Sequence, residues 1–116
     1  MKRTETIDIL LATYNGEKYI REQIDSILNQ TYTDFRLIIS DDKSKDNTVK
    51  ILKEYEKKDS RIIVYVQENN LGYIKNFEFL LNKVENNIYM LSDQDDYWLP
   101  EKISKTYLKL KQENAD

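Results

Sequence analysis

The sequence predicts an α/β fold, a mainly parallel sheet flanked by helices. Two observations carry this. Four short apolar runs rich in Ile, Leu and Val recur along the chain, and unbroken rather than alternating apolarity marks strands covered on both faces. Between them, apolar residues repeat at helical spacing. Alternation of this kind packs as parallel strands joined by right-handed crossovers.

The elements follow in order. Ile7-Asp8-Ile9-Leu10-Leu11-Ala12 is a buried-strand run ending in the polar turn Thr13-Tyr14-Asn15-Gly16. Residues 17–30 put Ile20, Ile24, Ile27 and Leu28 on one helical face. Phe35 to Ile39 forms a second strand that ends at Ser40-Asp41-Asp42. Val49, Leu52 and Tyr55 then mark a helix, with Ser44, Asp46 or Asn47 as its N-cap. Ile62 to Val66 is a third strand, followed by Glu68-Asn69-Asn70-Leu71-Gly72. Ile74, Phe77, Leu81 and Val84 mark a third helix. Ile88 to Leu91 is a fourth strand, ending at Ser92-Asp93-Gln94-Asp95-Asp96. Pro100 suits the first turn of a last helix bearing Ile103, Tyr107 and Leu110. The pattern β-α-β-α-β-α-β-α is Rossmann-like. The Lys-rich pieces at 50–58 and 102–111 also carry acidic residues and read as solvated helix faces.

Composition narrows the chemistry. At 116 residues the chain is about one domain and can bury a real core. Without Cys there is no disulfide, thiolate nucleophile or iron–sulfur cluster, and without His there is no Ser-His-Asp triad or ordinary zinc site. Two Gly cannot build a Gly-rich phosphate loop. Any metal must sit on oxygen ligands, which selects a hard cation such as Mg²⁺ or Mn²⁺. With 18 basic and 21 acidic residues the net charge is −3, so no basic surplus points to nucleic acid. No apolar stretch is long enough to span a bilayer as a helix, and the N-terminus lacks the pattern of a secretory signal. The expected location is the cytoplasm, with the inner face of a membrane as the one place of attachment.

In open α/β sheets, ligands bind beyond the carboxyl ends of the strands. The polar residues collect there: Thr13, Tyr14 and Asn15; Asp41 and Asp42; Asn69 and Asn70; Asp93, Asp95 and Asp96. Carboxylates converging on one sheet edge repel one another, and a divalent ion bridging a substrate phosphate resolves this. In extended backbone Asp93 and Asp95 face the same side. Both could hold one metal, or one the metal and the other a sugar hydroxyl. Asp96 would face away and cap the turn into the last helix. Asp42, Ser44 and Asp46 have the start of a calcium-loop spacing, but Asn47 and Lys53 stand where Gly and Glu are needed.

Five segments in this order resemble one family. They are Ile9-Leu10-Leu11-Ala12-Thr13-Tyr14-Asn15-Gly16, Ser26-Ile27-Leu28-Asn29-Gln30-Thr31-Tyr32, Ile39-Ser40-Asp41-Asp42-Lys43-Ser44-Lys45-Asp46-Asn47-Thr48, Asn69-Asn70-Leu71-Gly72 and Ser92-Asp93-Gln94-Asp95-Asp96-Tyr97-Trp98-Leu99-Pro100. Together they resemble the N-terminal half of a family-2 glycosyltransferase with the GT-A fold. The last segment looks like a subgroup of rhamnosyl- and related transferases of surface polysaccharide.

The resemblance implies a site for a nucleotide-diphosphate sugar, UDP- or dTDP-linked, and a saccharide acceptor. By it, Ala12, Thr13 and Tyr14 line the nucleoside, and Asp42 accepts a hydrogen bond from a pyrimidine ring. Asn15 and Asn70 belong to the same set. Asp93 contacts ribose or sugar and the metal, and Asp95 is the more direct metal ligand. Two positions depart from the family pattern. Lys43 stands where Gly is usual, and Asn76 where Arg is usual, with Lys75 as the neighbouring cation for the phosphates. Family members are usually much longer, so residues 1–116 are expected to be a single donor-binding domain of a longer transferase. The acceptor pocket and the catalytic base are expected outside it. The resemblance also implies an open sheet edge through which two copies could pair. Two other function classes compete with this one. A receiver-type signalling domain needs its acidic pair after the first strand, where this chain has Thr13-Tyr14-Asn15. A non-catalytic nucleotide-binding module is the third class.

Overall fold

The computed structural model describes residues 5–93 and 96–114. Its elements are β1 (Ile7–Thr13), α1 (Ile20–Leu28), β2 (Phe35–Asp41), α2 (Thr48–Lys58), β3 (Ile62–Val66), α3 (Tyr73–Leu81), β4 (Ile88–Ser92) and α4 (Lys102–Asn114). The eight elements alternate as the sequence predicts. The four strands form one parallel sheet in the order β3-β2-β1-β4.

This order explains where the helices lie. From β1 to β2 to β3 the chain steps one way, then returns past β1 to β4. Right-handed crossovers put helices on opposite faces when the stepping direction reverses. Accordingly Ile7, Ile9 and Leu11 pack with Ile20, Ile24 and Ile27 of α1, Ile51 and Leu52 of α2, and Ile103 of α4. Leu10, Ala12 and Ile38 face the other way, onto Leu80 of α3. All seven residues of β1 are buried because it is central and covered on both faces.

The second face is only partly covered. α3 lies over β1 and β2. On β4, Tyr89 and Leu91 pair in register with Asp8 and Leu10, so they share the α3 face, yet they are 48% and 51% exposed. No helix among the described residues is long and apolar enough to cross a membrane.

One local detail differs from expectation and two refine it. Pro100 lies in the turn before α4 rather than in the helix, where its carbonyl accepts from Thr31 N at 2.9 Å. Asn47 is the N-cap of α2 but makes no side-chain cap bond. Asp46 takes that role, its carboxylate accepting from Thr48 N at 3.0 Å. Lys43 has φ +62. That left-handed conformation is the one glycine adopts freely, which gives a physical reason for Gly at this position in the family.

Asp8 breaks the apolar run of β1 and is fully buried. Its register partner on β2 is Arg36, whose Nε and Nη2 donate to the carboxylate at 2.8 and 3.2 Å. Glu85 N, Asn86 N and Asn86 Nδ2 donate at 2.8, 3.1 and 2.7 Å. One side chain thus ties β1 to β2 and to the α3–β4 turn. Burial acts to raise its pKa, but the bonds from Arg36, Glu85 and Asn86 outweigh that and hold it below the usual carboxylate range.

Candidate functional site

A cleft of about 510 Å³ opens at the carboxyl ends of β1 and β2, under the start of α3. That volume lies within the range of small-molecule sites. Ala12, Thr13, Tyr14, Asp42 and Asn70 line it, as the sequence led one to expect, and Gly72, Tyr73 and Asn76 complete the wall. Tyr14 is 40% exposed rather than core.

Asp42 organises this wall. Leu71 N and Gly72 N donate to its two carboxylate oxygens at 2.6 and 3.0 Å. Asn70 Nδ2 donates to its backbone carbonyl at 2.6 Å. The loop can bend back onto Asp42 because Gly72 has φ +90. A side chain there would meet no neighbour within 4 Å, so the glycine serves backbone conformation rather than space. A carboxylate has about four acceptor sites, so two loop donors leave room for another.

Asn76 is held from beneath. Ser40 Oγ donates to its Oδ1 at 2.6 Å, and its Nδ2 donates to Ser40 O at 2.9 Å. Gln67 Nε2 donates to the same Ser40 Oγ at 2.9 Å. This network locks α3 onto β2. Lys75, one residue away and therefore about 100° round the helix, is exposed and does not line the cleft.

Asn15 is also placed elsewhere. Its N donates to Ser44 Oγ, and its Oδ1 accepts from Lys45 N, both at 2.8 Å. It joins the loop after β1 to the loop after β2. Its φ of +50 is a conformation Asn tolerates better than most residues.

Among the described residues the acidic side chains do not form one cluster. Asp41 accepts from Thr13 Oγ1 at 2.7 Å, Ser44 N at 2.7 Å and Ser44 Oγ at 2.6 Å. Asp41 is thus held by hydroxyl and N–H donors and Asp42 by two backbone N–H groups. Asp93 stands apart at the end of β4, exposed, with Tyr73 OH donating to its Oδ1 at 3.0 Å. That bond, with some burial and the carboxylate's charge, raises the Tyr73 pKa. Tyr73 also lines the cleft, so it links the cleft to Asp93. Asp96 turns to Trp98, whose Nε1 donates to it at 3.1 Å. Asp95 lies outside the described residues. Among the described residues no three acidic side chains group closely enough to hold a metal ion. Asp93 offers hard oxygen donors beside the cleft, which suit Mg²⁺ or Mn²⁺ once other oxygens join it.

Comparison with known proteins agrees with this geometry. The chain is 44% identical over 98 residues to the dTDP-rhamnosyl transferase RfbG of Shigella flexneri, an alignment covering 80% of this chain and 34% of that one. It superposes on residues 1–349 of S. aureus TarS, solved in complex with UDP, with TM-score 0.84 and 28% identity, covering 92% of this chain and 32% of that one. The mannosyltransferase PcManGT of Pyrobaculum calidifontis, solved with GDP-Man and Mn²⁺, shares the fold at TM-score 0.81 and 19% identity, covering 95% of this chain and 32% of that one. The receiver and non-catalytic alternatives draw no support from these matches. The sequence profile of glycosyl transferase family 2 matches residues 8–116, and with four parallel strands presenting a cleft at their carboxyl ends, the chain belongs to that family.

Proposed function

We propose that this chain is the donor-binding part of a glycosyltransferase and holds the nucleoside diphosphate of a UDP- or dTDP-sugar. The acceptor would be a saccharide in surface polysaccharide or cell-wall glycan synthesis. The observation that carries this is the cleft bounded by Ala12–Tyr14 and Asp42. TarS, similar over 92% of this chain, was solved with UDP. In this reading Asp42 accepts from the pyrimidine ring while it holds the loop. Tyr14 and Asn70 flank the nucleoside, and Asp93 and Asp95 face the diphosphate through Mg²⁺ or Mn²⁺. The metal would neutralise the departing diphosphate. Asn15 supports the cleft from its loop, and Lys75 contributes a solvated charge at most. Residues 1–116 act as one domain of a longer enzyme, which works in the cytoplasm at the inner face of a membrane.

The test is nucleotide titration by calorimetry. UDP is expected to bind more tightly with Mn²⁺ than with chelator. Asp95→Asn keeps the side chain's shape and removes its charge, so it should erase the Mn²⁺-dependent gain while far-UV circular dichroism stays unchanged. Asp96→Asn should do less, because its carboxylate is engaged by Trp98. Equal binding of Asp95→Asn and wild type would defeat the metal assignment.

The same reading includes self-association through the β4 edge. Among the described residues β4 pairs on one side, with β1, and shows Tyr89 and Leu91 to solvent. Unpaired strand edges bearing apolar residues favour pairing between copies. Sedimentation should show a concentration-dependent dimer that Leu91→Lys weakens. A monomer at every concentration would refute it.

A further inference from the structure

α1 and the residue two places past its end carry a polar stripe where an apolar one would be buried at less cost. Gln23, Ser26 and Gln30 are 2%, 5% and 3% exposed, beside Ile20, Ile24 and Ile27 of the core. The spacing of three and then four keeps them on one face. Buried polar groups of this kind persist where they satisfy other buried polar groups.

Their partners lie on the segment that leads from β4 to α4. Gln23 Nε2 donates to Ser92 Oγ at 3.0 Å and to the carbonyl of Asp93. Trp98 N donates to Ser26 Oγ at 3.1 Å, and Ser26 Oγ donates in turn to Gln23 O at 2.7 Å. Gln30 Nε2 donates to Leu99 O at 2.7 Å and to Ser26 O at 3.1 Å, while its Oε1 accepts from Ile103 N at 2.9 Å. Gln23 grips the segment before the acidic residues, and Ser26 and Gln30 grip it after them. The bonds reach backbone atoms and one serine hydroxyl, so they leave the Asp93 carboxylate to Tyr73 and to other partners. Backbone outside helix and sheet needs such donors and acceptors when it is buried.

We infer that Gln23, Ser26 and Gln30 are positioning residues: they anchor Ser92, Asp93, Trp98, Leu99 and Ile103 to α1, so that Asp93 is held at the edge of the cleft for the diphosphate and its metal. This rests on the donor-site reading above. None of the three lines the nucleoside cleft. Their loss should therefore change the metal-dependent part of binding and spare the metal-independent part. A purely structural role would not separate the two. Residues that orient metal ligands typically contribute about 10- to 100-fold to metal affinity.

The test uses Gln23→Met, which keeps side-chain length and removes the donor. UDP is titrated into wild type and variant, with Mn²⁺ and with chelator, and Mn²⁺ alone is titrated as a third arm. The expected result is unchanged affinity in chelator and a Mn²⁺-dependent gain reduced about tenfold or more. Ser26→Ala is a milder second variant, suited to a helix, and should move the same quantity in the same direction. It decides the matter if Gln23→Met does not fold. A Mn²⁺-dependent gain equal to wild type in a folded variant overturns the positioning role alone. A wild type with no Mn²⁺-dependent gain overturns the donor-site reading, and this inference with it. Equal losses with Mn²⁺ and with chelator also overturn the positioning role, since they show general weakening.

Discussion

Asp8→Ala should destabilise the protein by about 3–5 kcal/mol, the usual consequence of removing one partner of a buried ion pair. The cause is geometric. Arg36 keeps its charge in a setting only 24% exposed, and the N–H groups of Glu85 and Asn86 lose their acceptor. Domains are stable by about 5–15 kcal/mol, so the loss is a large share. Urea unfolding followed by circular dichroism reads it directly, and a change under about 1 kcal/mol would contradict the assignment. The same contact predicts a pH dependence. The folded-state pKa of Asp8 is lowered, so its stabilisation is fully present above the ordinary carboxylate value of about 3.9. It is lost as pH falls through the lower folded value. Asp8→Ala should therefore flatten the acid limb of the stability profile.

Asp42→Ala should weaken UDP binding by about 1.5–3 kcal/mol, the scale of a hydrogen bond to a charged group. That is about ten- to a hundredfold in dissociation constant. Two causes are superposed, because Asp42 both faces the cleft and holds the N–H groups of Leu71 and Gly72. A second nucleotide separates them. Uracil offers a ring N–H to an acceptor, whereas adenine presents a ring nitrogen lone pair on its corresponding edge. If Asp42 reads the base, the variant loses affinity for UDP and little for ADP. If Asp42 acts only through the loop, both fall together, and the base contact is refuted.

The alternation of elements was legible because each strand here is an apolar run and each helix an apolar stripe. The strand order was not, since nothing local in Ile88–Leu91 says which strand it pairs with. That order decides the site. Thr13, Tyr14, Asp42 and Asn70 could be named in advance from their places at strand ends, and Ala12 only through the family resemblance. Tyr73 and Asn76 could not, because they face the cleft only when α3 crosses β1 and β2. Lys75 failed as a candidate through helical phase: the buried positions of α3 are Asn76 and Leu80, which turns Lys75 outward. Among the described residues the expected convergence of carboxylates is absent for a different reason. Leu71 and Gly72 hold Asp42 and Thr13 holds Asp41, pairings invisible in sequence, while Ser44 reaches Asp41 from three residues away. Gln23, Ser26 and Gln30 were overlooked because polar residues on a helix normally read as its solvated side. The signal that could have found them is their phase, which matches Ile20, Ile24 and Ile27 rather than opposing them.

Trp98 is the one tryptophan in the chain. It is 1% exposed, with Lys102 Nζ 5.4 Å from the ring centroid and Asp96 on its indole nitrogen. The nine tyrosines are spread over the fold, so their absorption belongs to no single region. Light absorbed at the red edge of the protein spectrum excites the indole alone. Emission excited there comes from one buried side chain beside Asp96, and it reports on the segment leading into α4 without any added label.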